Sequence, residues 1–366
     1  MAMTTKPIIV LHSFGVPGLG GVMTGVRRLL ESELAEKYHF ETCFQTRPAG
    51  GINLPLMREM ANRIRSLRPD LLHVQGLGNE GFHGLMAGRM AGCRRILVTV
   101  HGLVRDIAMW RGLSRYCREW IVGHLLEPYT LRHADGVYCV CAYDANRGVI
   151  TRHARRLLGY IHNAVDLPPL TPPDSALRAS FGFSATDTVG VYVGRLNIEQ
   201  KGLPYLCEAL RLMVARGEKR LKLLLVGDGP DRPQIEASAA GLPPGQLVFA
   251  GQRDDVFAIL RAGDFLVLPS VRENLPYVLL EAMACQRAVV ATNVCGNPEV
   301  VVSGETGILV PSRDPNALAE AMQSLVDDPE RRAAFGVAGR QRAEDRFSMR
   351  CLTAKLDAVY QEVLRL

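Results

Sequence analysis

Two glutamates eight residues apart, Glu273 and Glu281, lie within residues 270–284. Glu273 follows the apolar run Phe265–Leu268 and precedes Pro276, which suits the first turn of a helix because its missing N–H costs nothing there. We therefore predict a loop at Glu273 and a helix at Glu281, and a helix would separate the carboxylates by about 12 Å along its axis. Two acids that share one scissile bond lie only ~5 to ~9.5 Å apart. The spacing suits two groups that hold opposite ends of an extended ligand. For this pair alone, an equally good interpretation is that Glu281 is a solvated helix residue and that Glu273 lies in the first turn, where the helix dipole favours it.

A loop with two cations follows another predicted strand. Residues 194–202 read Gly-Arg-Leu-Asn-Ile-Glu-Gln-Lys-Gly, which places Arg195 and Lys201 on one loop that begins at Gly194. Arginine binds phosphate as a planar fork and lysine binds it as a point charge, so the pattern indicates an anion site. Ordinary surface charge is the alternative, but two cations beside glycines at a strand end favour binding.

The first half of the chain has two weaker candidates. Residues 15–22 are glycine-rich and lie between a predicted strand and a helix, where the N–H groups of Gly20 and Gly21 would suit a phosphate. This segment is not G-x-G-x-x-G, and a flexible turn is the alternative. His101 follows the predicted strand Ile96–Val100. A lone histidine is more often structural, and no two histidines have the spacing of a metal site.

Two further segments follow predicted strands in the second half, residues 225–230 (Leu-Val-Gly-Asp-Gly-Pro) and 250–256 (Ala-Gly-Gln-Arg-Asp-Asp-Val). The neighbouring Asp254 and Asp255 could be mistaken for a metal pair. Because they come just before a predicted helix, N-cap roles are the better interpretation. We expect no metal site.

Short apolar strands alternate with amphipathic helices along the whole chain, as in α/β proteins with parallel sheets. Strands are predicted at 8–11, 70–74, 96–100, 137–141, 189–193, 221–226, 247–250, 265–268 and 288–291. Helices are predicted at 23–37, 54–67, 80–91, 114–133, 203–215, 232–240, 256–261, in the 270–284 stretch, and at 316–326, 330–347 and 349–366. Residues 166–173 contain four prolines and predict a linker. The expected fold class is α/β, with two tandem Rossmann-like, doubly wound domains that face each other across a ligand-binding cleft.

Composition narrows the class of protein. A chain of 366 residues with 48% hydrophobic and 22% charged residues can form two folded cores. Nine scattered cysteines without C-x-x-C predict reduced thiols. We expect neither a membrane-spanning run nor a signal peptide, and a cytoplasmic location. Residues 1–170 carry 21 Lys and Arg against 13 Asp and Glu, so this half is predicted to face an anionic partner.

Taken together, these segments resemble the retaining glycosyltransferases of family 4, which have the two-Rossmann GT-B fold. The resemblance covers nearly the whole chain and is strongest over residues 188–312. That region contains Gly-Arg-Leu…Lys-Gly, Val-Gly-Asp-Gly-Pro and Glu-x7-Glu, then residues 296–299 (Gly-Asn-Pro-Glu) and 306–311 (Thr-Gly-Ile-Leu-Val-Pro). Residues 163–166, Asn-Ala-Val-Asp, also resemble the family's Asn-Gly-Val-Asp before the linker.

The resemblance implies a metal-independent enzyme of the hexosyltransferase type that has no cofactor. Its co-substrate would be a nucleotide-sugar, and UDP- and GDP-sugars are the donors expected before others. The acceptor would be a glycan or a lipid-linked sugar, in bacterial cell-surface polysaccharide or glycolipid biosynthesis. Residues 1–166 would form the acceptor side and residues 167–347 the donor side. A C-terminal helix, residues 348–366, would cross back to the first domain.

The resemblance also implies roles for single residues. Glu281 would bind the donor ribose, Glu273 the donor-sugar hydroxyls, and Arg195 and Lys201 the diphosphate. The amides of Gly20 and Gly21 would approach the diphosphate from the other domain, His101 would lie beside the sugar, and the loop 252–254 would meet the base. The expected catalytic residues are His101, Arg195, Lys201 and Glu273, and the expected donor-binding residues are Gly20, Gly21, Gly194, Arg253, Asp254, Asn274, Leu275 and Glu281.

One departure from the family changes the expected contacts. Where many relatives have Gly-Phe-Gly after the first glutamate, this chain has Asn274, Leu275 and Pro276. Proline has no N–H, so the Leu275 amide is the expected donor to the ligand. Cleavage of a nucleotide–sugar bond builds negative charge on the diphosphate, which the two cations and the glycine amides can stabilise without Mg²⁺. No carboxylate is placed as a nucleophile, which is consistent with the family's front-face retention.

Three other functions fit parts of the pattern. An epimerase or phosphorylase of the same fold would lack the full combination of motifs. A catalytically silent nucleotide-sugar-binding regulator would be expected to lose Arg195, Lys201 or Glu273, and all three are present. A nucleic-acid binder is disfavoured because the basic excess is not interleaved with aromatic residues.

The basic first half also suggests a membrane hypothesis. Between Arg105 and His133, basic and apolar residues share one helical stretch: Trp110, Arg111, Arg115, Tyr116, Arg118, Trp120, Ile121 and Leu125, with Arg152, Arg155 and Arg156 nearby. Such a helix can lie on the anionic inner face of the plasma membrane and receive a lipid-linked acceptor. An ordinary helix with a solvated basic face is the equal alternative.

Overall fold

The chain divides into two structural units. The structure, a computed structural model, describes residues 6–15, 20–106, 113–172 and 174–365. One unit contains Met1–Asn163 with Met349–Leu366, and the other contains Ala164–Ser348. Residues 16–19 of the predicted glycine loop, Trp110 and Arg111 of the membrane hypothesis, and Pro173 of the predicted linker lie outside the described residues.

Twelve strands are found in the described residues. In chain order, β1 to β12, they are Ile8–Phe14, His39–Gln45, Leu71–Gln75, Ile96–Val100, Gly136–Cys139, Leu157–Tyr160, Thr188–Val193, Leu221–Val226, Leu247–Gly251, Phe265–Leu268, Ala288–Thr292 and Gly307–Val310.

Eighteen α-helices lie between and after these strands in the same part of the chain. In order, α1 to α18, they are Gly21–Leu30, Leu34–Lys37, Leu54–Leu67, Gly78–Ala91, Leu113–Ile121, Glu127–His133, Ala142–Ala145, Gly148–His153, Ser175–Ser180, Ile198–Lys201, Leu203–Ala215, Arg232–Ser238, Val256–Ala262, Tyr277–Ala284, Asn297–Val300, Pro315–Asp327, Pro329–Phe347 and Met349–Leu364. A 3₁₀ turn, Val104–Asp106, and a π-helical turn, Val122–Leu126, flank α5.

Each unit is built on one six-stranded parallel sheet. The strand order is β2-β1-β3-β4-β5-β6 in the first unit and β12-β11-β10-β7-β8-β9 in the second. In each sheet the chain starts at an inner strand, β1 or β7, and adds strands outward on one side of it. The chain then returns and adds the remaining strands on the other side. Two Rossmann-like units therefore confirm the predicted α/β, doubly wound fold class.

Helices cover both faces of the first sheet. Val74, Val98 and Val100 belong to a cluster on one face, together with residues of α3 and α4. The other face buries Ile9 and Leu11 against the last helix of the chain, α18, through Leu356, Val359, Tyr360 and Val363. The strands read as continuous apolar runs because both of their faces are buried.

Most predicted elements agree with the structure to within two residues. The helix predicted at 23–37 is two helices, α1 and α2, because the Ser32 hydroxyl bonds the Leu29 carbonyl between them. Three strands were not predicted: β2, β6 and β12. Strand β2 (His-Phe-Glu-Thr-Cys-Phe-Gln) lies at the sheet edge and mixes polar with apolar residues, so it lacks the apolar run by which the other strands were found.

Buried thiols agree with the composition. The nine cysteines, all within the described residues, form no disulfide, and six of them are buried. Burial raises the pKa of the Cys139 thiol to about 12, so the group stays protonated at neutral pH. None of the helices in the described ranges combines the length and apolar character that a membrane span requires.

Candidate active site

The loops after β7 and β10 meet at the centre of the second sheet. These two strands are neighbours, yet the chain leaves β7 toward β8 on one side and leaves β10 toward β11 on the other. Ligands of doubly wound sheets bind in the crevice at such a switch point, at the carboxyl ends of the strands. The segment after β7 carries Gly194 and Arg195 in its loop and Lys201 at the end of the short helix α10, where a loop was predicted. The loop after β10 carries Glu273, Asn274 and Leu275.

Glycines allow these loops to pack backbone against backbone. Gly202 has φ +63°, and a Cβ there would lie under 3.0 Å from the carbonyl oxygen of Pro269, in the loop after β10. A Cβ on Gly227 would likewise meet the carbonyl of Gly194, and one on Gly229 would meet the carbonyl of Leu196. The predicted glycine motifs therefore have a steric reason, since any larger residue would push the loops apart.

Lys201 and Glu273 come together although they are 72 residues apart. The Lys201 Nζ donates to Glu273 Oε1 at 2.5 Å, and the Ser270 hydroxyl donates to the same oxygen at 2.7 Å. Both bonds end on Oε1, so neither occupies Oε2. The side chains are largely buried, 16% exposed for Lys201 and 7% for Glu273. A cation and a carboxylate are thus fixed side by side, with one carboxylate oxygen that receives neither bond.

Further hydrogen bonds hold Ser270, the partner of Glu273, in place. The Thr292 hydroxyl at the end of β11 donates to the carbonyl of Ser270 at 2.5 Å. The amide of Asn297 donates to the carbonyl of Thr292 at 2.9 Å. Ser270, Thr292 and Asn297 were not predicted as site residues. Their only signal in the sequence is that each is a polar residue within a few positions of an apolar strand.

Tyr192 supports the other loop. Its hydroxyl donates to the carbonyl of Arg195 at 2.9 Å. Burial, with a smaller contribution from the nearby Glu273 carboxylate, raises the pKa of Tyr192 well above its usual value, so the hydroxyl remains a donor. The Arg195 side chain is exposed, and Glu281 is half-buried on α14. Of the other residues predicted in this unit, Leu275 is buried and Asn274 is half-buried.

The loop before α13 corrects one prediction. Asp255, not Asp254, occupies the N-cap position, and its side chain makes no capping bond. Its carboxylate instead accepts two bonds from the guanidinium of Arg253, at 2.8 and 2.6 Å. This pairing lowers the pKa of Asp255 and occupies Arg253, while the side chain of Asp254 is exposed. The fork of Arg253 is the stronger partner because a bidentate carboxylate bond exceeds a single capping bond.

The first unit has its own switch point between β1 and β3. Gly20 has φ +87° and occupies the N-cap of α1, and Gly21 begins that helix. The first turn of α1 contains no acidic residue, so its N–H groups retain the positive end of the helix dipole. Gly15, directly after β1, donates its N–H to the carbonyl of Gln45.

His101 directly follows β4, the strand beside β3, at the carboxyl edge of the first sheet. Its Nε2 is 2.8 Å from Oε1 of Gln75, the last residue of β3. The ring is half-buried, and desolvation lowers its pKa to about 4, so the imidazole is neutral at pH 7. Gln75, like Ser270, Thr292 and Asn297, was not predicted.

Comparison with known proteins agrees with these features. The family described as "Glycosyltransferase Family 4" matches residues 25–168, and the one described as "Glycosyl transferases group 1" matches residues 187–328. The chain is 37% identical to an alpha-maltose-1-phosphate synthase of Mycolicibacterium smegmatis, over 77% of this chain and 76% of the relative.

Two further similarities span almost the entire chain. One is a GDP-mannose-dependent monoacylated alpha-(1-6)-phosphatidylinositol monomannoside mannosyltransferase of Corynebacterium glutamicum, 26% identical over 99% of both chains. The other is the crystal structure of Anabaena HepE in complex with UDP, with a TM-score of 0.74, 20% identity, and coverage of 99% of this chain and 100% of that one. Both family descriptions, the 37% identity and the two parallel sheets agree, and the chain belongs to glycosyltransferase family 4, as an enzyme with the GT-B type of fold.

Proposed function

We propose that the protein transfers a hexose, with retention of configuration, from a UDP- or GDP-sugar to a glycan or lipid-linked acceptor. The contact that carries the proposal is the 2.5 Å pair of Lys201 and Glu273 at the switch point of the second sheet. A nucleotide-sugar presents hydroxyl groups next to a diphosphate. A carboxylate beside a cation matches that pattern, because hydroxyls donate to the one and phosphate oxygens bind the other.

In this proposal each loop contributes one part of the donor site. Lys201 and Arg195 bind the diphosphate and stabilise the charge that develops as the sugar leaves, without a metal ion. Oε2 of Glu273 accepts from a sugar hydroxyl, while Ser270 holds the carboxylate in place through Oε1. Glu281 binds the ribose. In the first unit, Gly20 and Gly21 offer amides at the start of α1 to a phosphate, and His101 contacts the donor sugar.

The names of similar proteins support the choice of donor and acceptor. HepE binds UDP in the crystal, and the mannosyltransferase of Corynebacterium glutamicum uses GDP-mannose and a lipid-anchored mannoside. We therefore place UDP- and GDP-sugars first among donors, and a bacterial cell-surface polysaccharide or glycolipid as the product. The reaction would take place in the cytoplasm or at the inner face of the plasma membrane.

A donor screen tests the proposal. We expect one nucleotide class among UDP-, GDP-, ADP- and CMP-sugars to raise the melting temperature of the protein and to be slowly hydrolysed in the absence of metal. The Glu281→Ala variant should bind that donor roughly ten-fold more weakly, because a hydrogen bond from a ribose hydroxyl to a carboxylate is lost.

Glu320→Ala is the matched control, since it removes an exposed helix glutamate from α16 of the same unit. A melting shift without hydrolysis under any acceptor condition would favour the silent regulator instead. No shift with any donor, or equal shifts in wild type and Glu281→Ala, would contradict the proposed site.

An exposed apolar stripe supports contact with a membrane. Tyr116, Trp120, Ile121, Leu125 and Tyr129 are between 37% and 55% exposed, on the segment formed by α5, the π turn and α6. Trp120 and Leu125 are five residues apart, and a π turn brings residues five apart above one another. The stripe therefore continues across the turn, with the exposed Arg118 at its side. Apolar side chains flanked by arginine suit the boundary of an anionic bilayer.

Vesicle sedimentation tests the membrane contact. At low salt the protein should bind vesicles that contain anionic lipid. A Trp120→Ser, Leu125→Ser double variant should bind at least ~10-fold more weakly, because two exposed apolar groups that would enter the bilayer are lost. Val337→Ser provides the control, because Val337 is an isolated apolar residue with 58% exposure in the other unit. Absence of binding in low salt, or equal binding of the double variant, would remove the membrane contact and leave the transferase proposal intact.

A further inference from the structure

One face of the first sheet carries a row of polar side chains within otherwise apolar strands. The strand register places Gln75 beside Thr99, and Thr99 beside Tyr138. His73 is two residues before Gln75 on β3, so its side chain lies on the same face. This is the face that α18 covers, because Tyr138 and Tyr360 share one buried cluster. The row leads from the interior of the sheet to His101, at the carboxyl edge of the sheet.

Short hydrogen bonds join the row. Nδ1 of His73 is 2.8 Å from the Tyr360 hydroxyl, and its Nε2 is 2.6 Å from the Thr99 hydroxyl. The amide nitrogen of Gln75 is 3.2 Å from His73 Nε2, and its oxygen is 2.8 Å from His101 Nε2. Gln75 thus connects a completely buried histidine to the half-buried histidine at the candidate site.

The chemistry of the amide determines where the protons lie. Oε1 of Gln75 can only accept, so Nε2 of His101 must carry a proton. Because burial lowers the pKa of His101 to about 4, the ring is neutral and its Nδ1 carries the lone pair. The amide NH₂ of Gln75 lies against the His73 ring, 3.2 Å from Nε2 and 3.4 Å from Nδ1, and the Thr99 hydroxyl contacts Nε2 at 2.6 Å. His73 is also neutral, since burial lowers its pKa to about 3.

We propose that Gln75 is a positioning residue that sets the tautomer and ring orientation of His101. The proposal rests on the function proposed above, in which His101 contacts the donor sugar, and it adds the reason why the ring presents Nδ1. A lone pair at Nδ1 accepts a hydrogen bond from a hydroxyl group. The opposite tautomer would present N–H at that position and would prefer an acceptor instead.

Long-range ¹H–¹⁵N spectra of the histidine rings test this in the free enzyme, without any donor. In wild type, His101 should be a neutral Nε2–H tautomer that does not titrate between about pH 5 and 8. Gln75→Leu should give a mixture of both tautomers. Gln75→Glu keeps an acceptor and should retain the tautomer, but its charge should raise the pKa of His101 so that the ring titrates inside this window. The other titratable groups named on this face are His73, Tyr138 and Tyr360, with Tyr38 and its partner Asp357 beyond Tyr360. Burial raises the pKa of Tyr360 well above its usual value, so it does not titrate in that range.

Donor hydrolysis, measured with whichever donor the screen identifies, gives the second readout. Gln75→Leu should lower kcat roughly two- to ten-fold, the equivalent of one neutral hydrogen bond. Gln75→Glu should recover most of this loss at pH 8 and lose activity as His101 becomes protonated. Gln246→Leu, which removes a buried amide just before β9 in the other unit, should leave kcat unchanged for the folded protein.

The outcomes separate the two proposals. If His101→Ala lowers kcat but Gln75→Leu retains both the wild-type tautomer and the wild-type rate, Gln75 does not position the ring. If the spectra change as expected while no donor is hydrolysed, the positioning stands and the proposed function does not. A single tautomer in all three proteins, with no titration in Gln75→Glu, would overturn the inference.

Discussion

Replacing Lys201 by methionine is expected to lower kcat for donor cleavage by about 10²- to 10³-fold, the effect of removing one preorganised electrostatic contact to the leaving group. Methionine keeps the length of the side chain and removes the charge. The KM for the donor should change much less, because the negative charge is greatest on the departing diphosphate. Steady-state kinetics with the donor found in the screen would measure both parameters.

Lys201→Met also removes the ion-pair partner of the buried Glu273 carboxylate, so the free energy of unfolding must be measured together with activity. Loss of Lys201 leaves Glu273 without its cation and should destabilise the second unit by about 3 kcal/mol. The double variant Lys201→Met, Glu273→Gln should recover most of that stability and none of the activity. Lys222→Met is the control, since Lys222 bonds a neutral glutamine in the same unit. A kcat within three-fold of wild type in folded Lys201→Met protein would remove Lys201 from the chemistry.

Replacing Gly202 by alanine is expected to damage both stability and activity. Its added Cβ would collide with the Pro269 carbonyl, which has no side-chain freedom with which to move away. The loops after β7 and β10 would have to separate beside Lys201, and a displacement of about 1 Å can cost ~10²-fold in rate. The clash should also lower the free energy of unfolding by ~1–3 kcal/mol beyond the strain of the left-handed backbone.

Gly217→Ala isolates that backbone strain. Gly217 has φ +90° in the same unit, and a Cβ there would meet nothing within 4 Å. The free energy of unfolding of Gly217→Ala should therefore fall by ~1 kcal/mol, the cost of a non-glycine residue at positive φ. Its kcat should be unchanged. Thermal unfolding and kcat of the two variants, side by side, provide the measurement. Equal losses in both would mean that the contact with Pro269 does not hold the loops in place.

The strands that sequence reasoning found share one property, the continuous apolar run of a strand with two buried faces. Ile96–Val100 and Leu221–Val226 agree with their predicted bounds to the residue, and so does the amphipathic helix Leu54–Leu67. The edge strand His39–Gln45 has no such run, because one of its sides has no neighbouring strand and its exposed positions carry polar residues. Local pattern therefore identifies the centre of a parallel sheet better than its edge.

The candidate site shows the same limit for a different reason. Lys201 and Glu273 could be selected separately, one as a cation and one as a carboxylate after a strand. Their contact depends on β7 lying beside β10, an adjacency between strands far apart in the chain that no local spacing reveals. Ser270 and Gln75 were missed because a single polar residue at a strand end has no spacing to recognise. Only its partner in space, Glu273 or His101, shows what it does.

The place of α18 in the first unit has a consequence for synthesis on the ribosome. Residues 349–364 supply the apolar cover of strands that emerge more than 180 residues earlier. At the usual rate of about 5–20 residues per second, Ile9, Leu11 and Leu97 wait roughly 13–70 s for that cover. The second unit, continuous from Ala164 to Ser348, has all of its own chain before then. Completion of the two cores thus follows an order opposite to that of translation: the half made first is the half finished last.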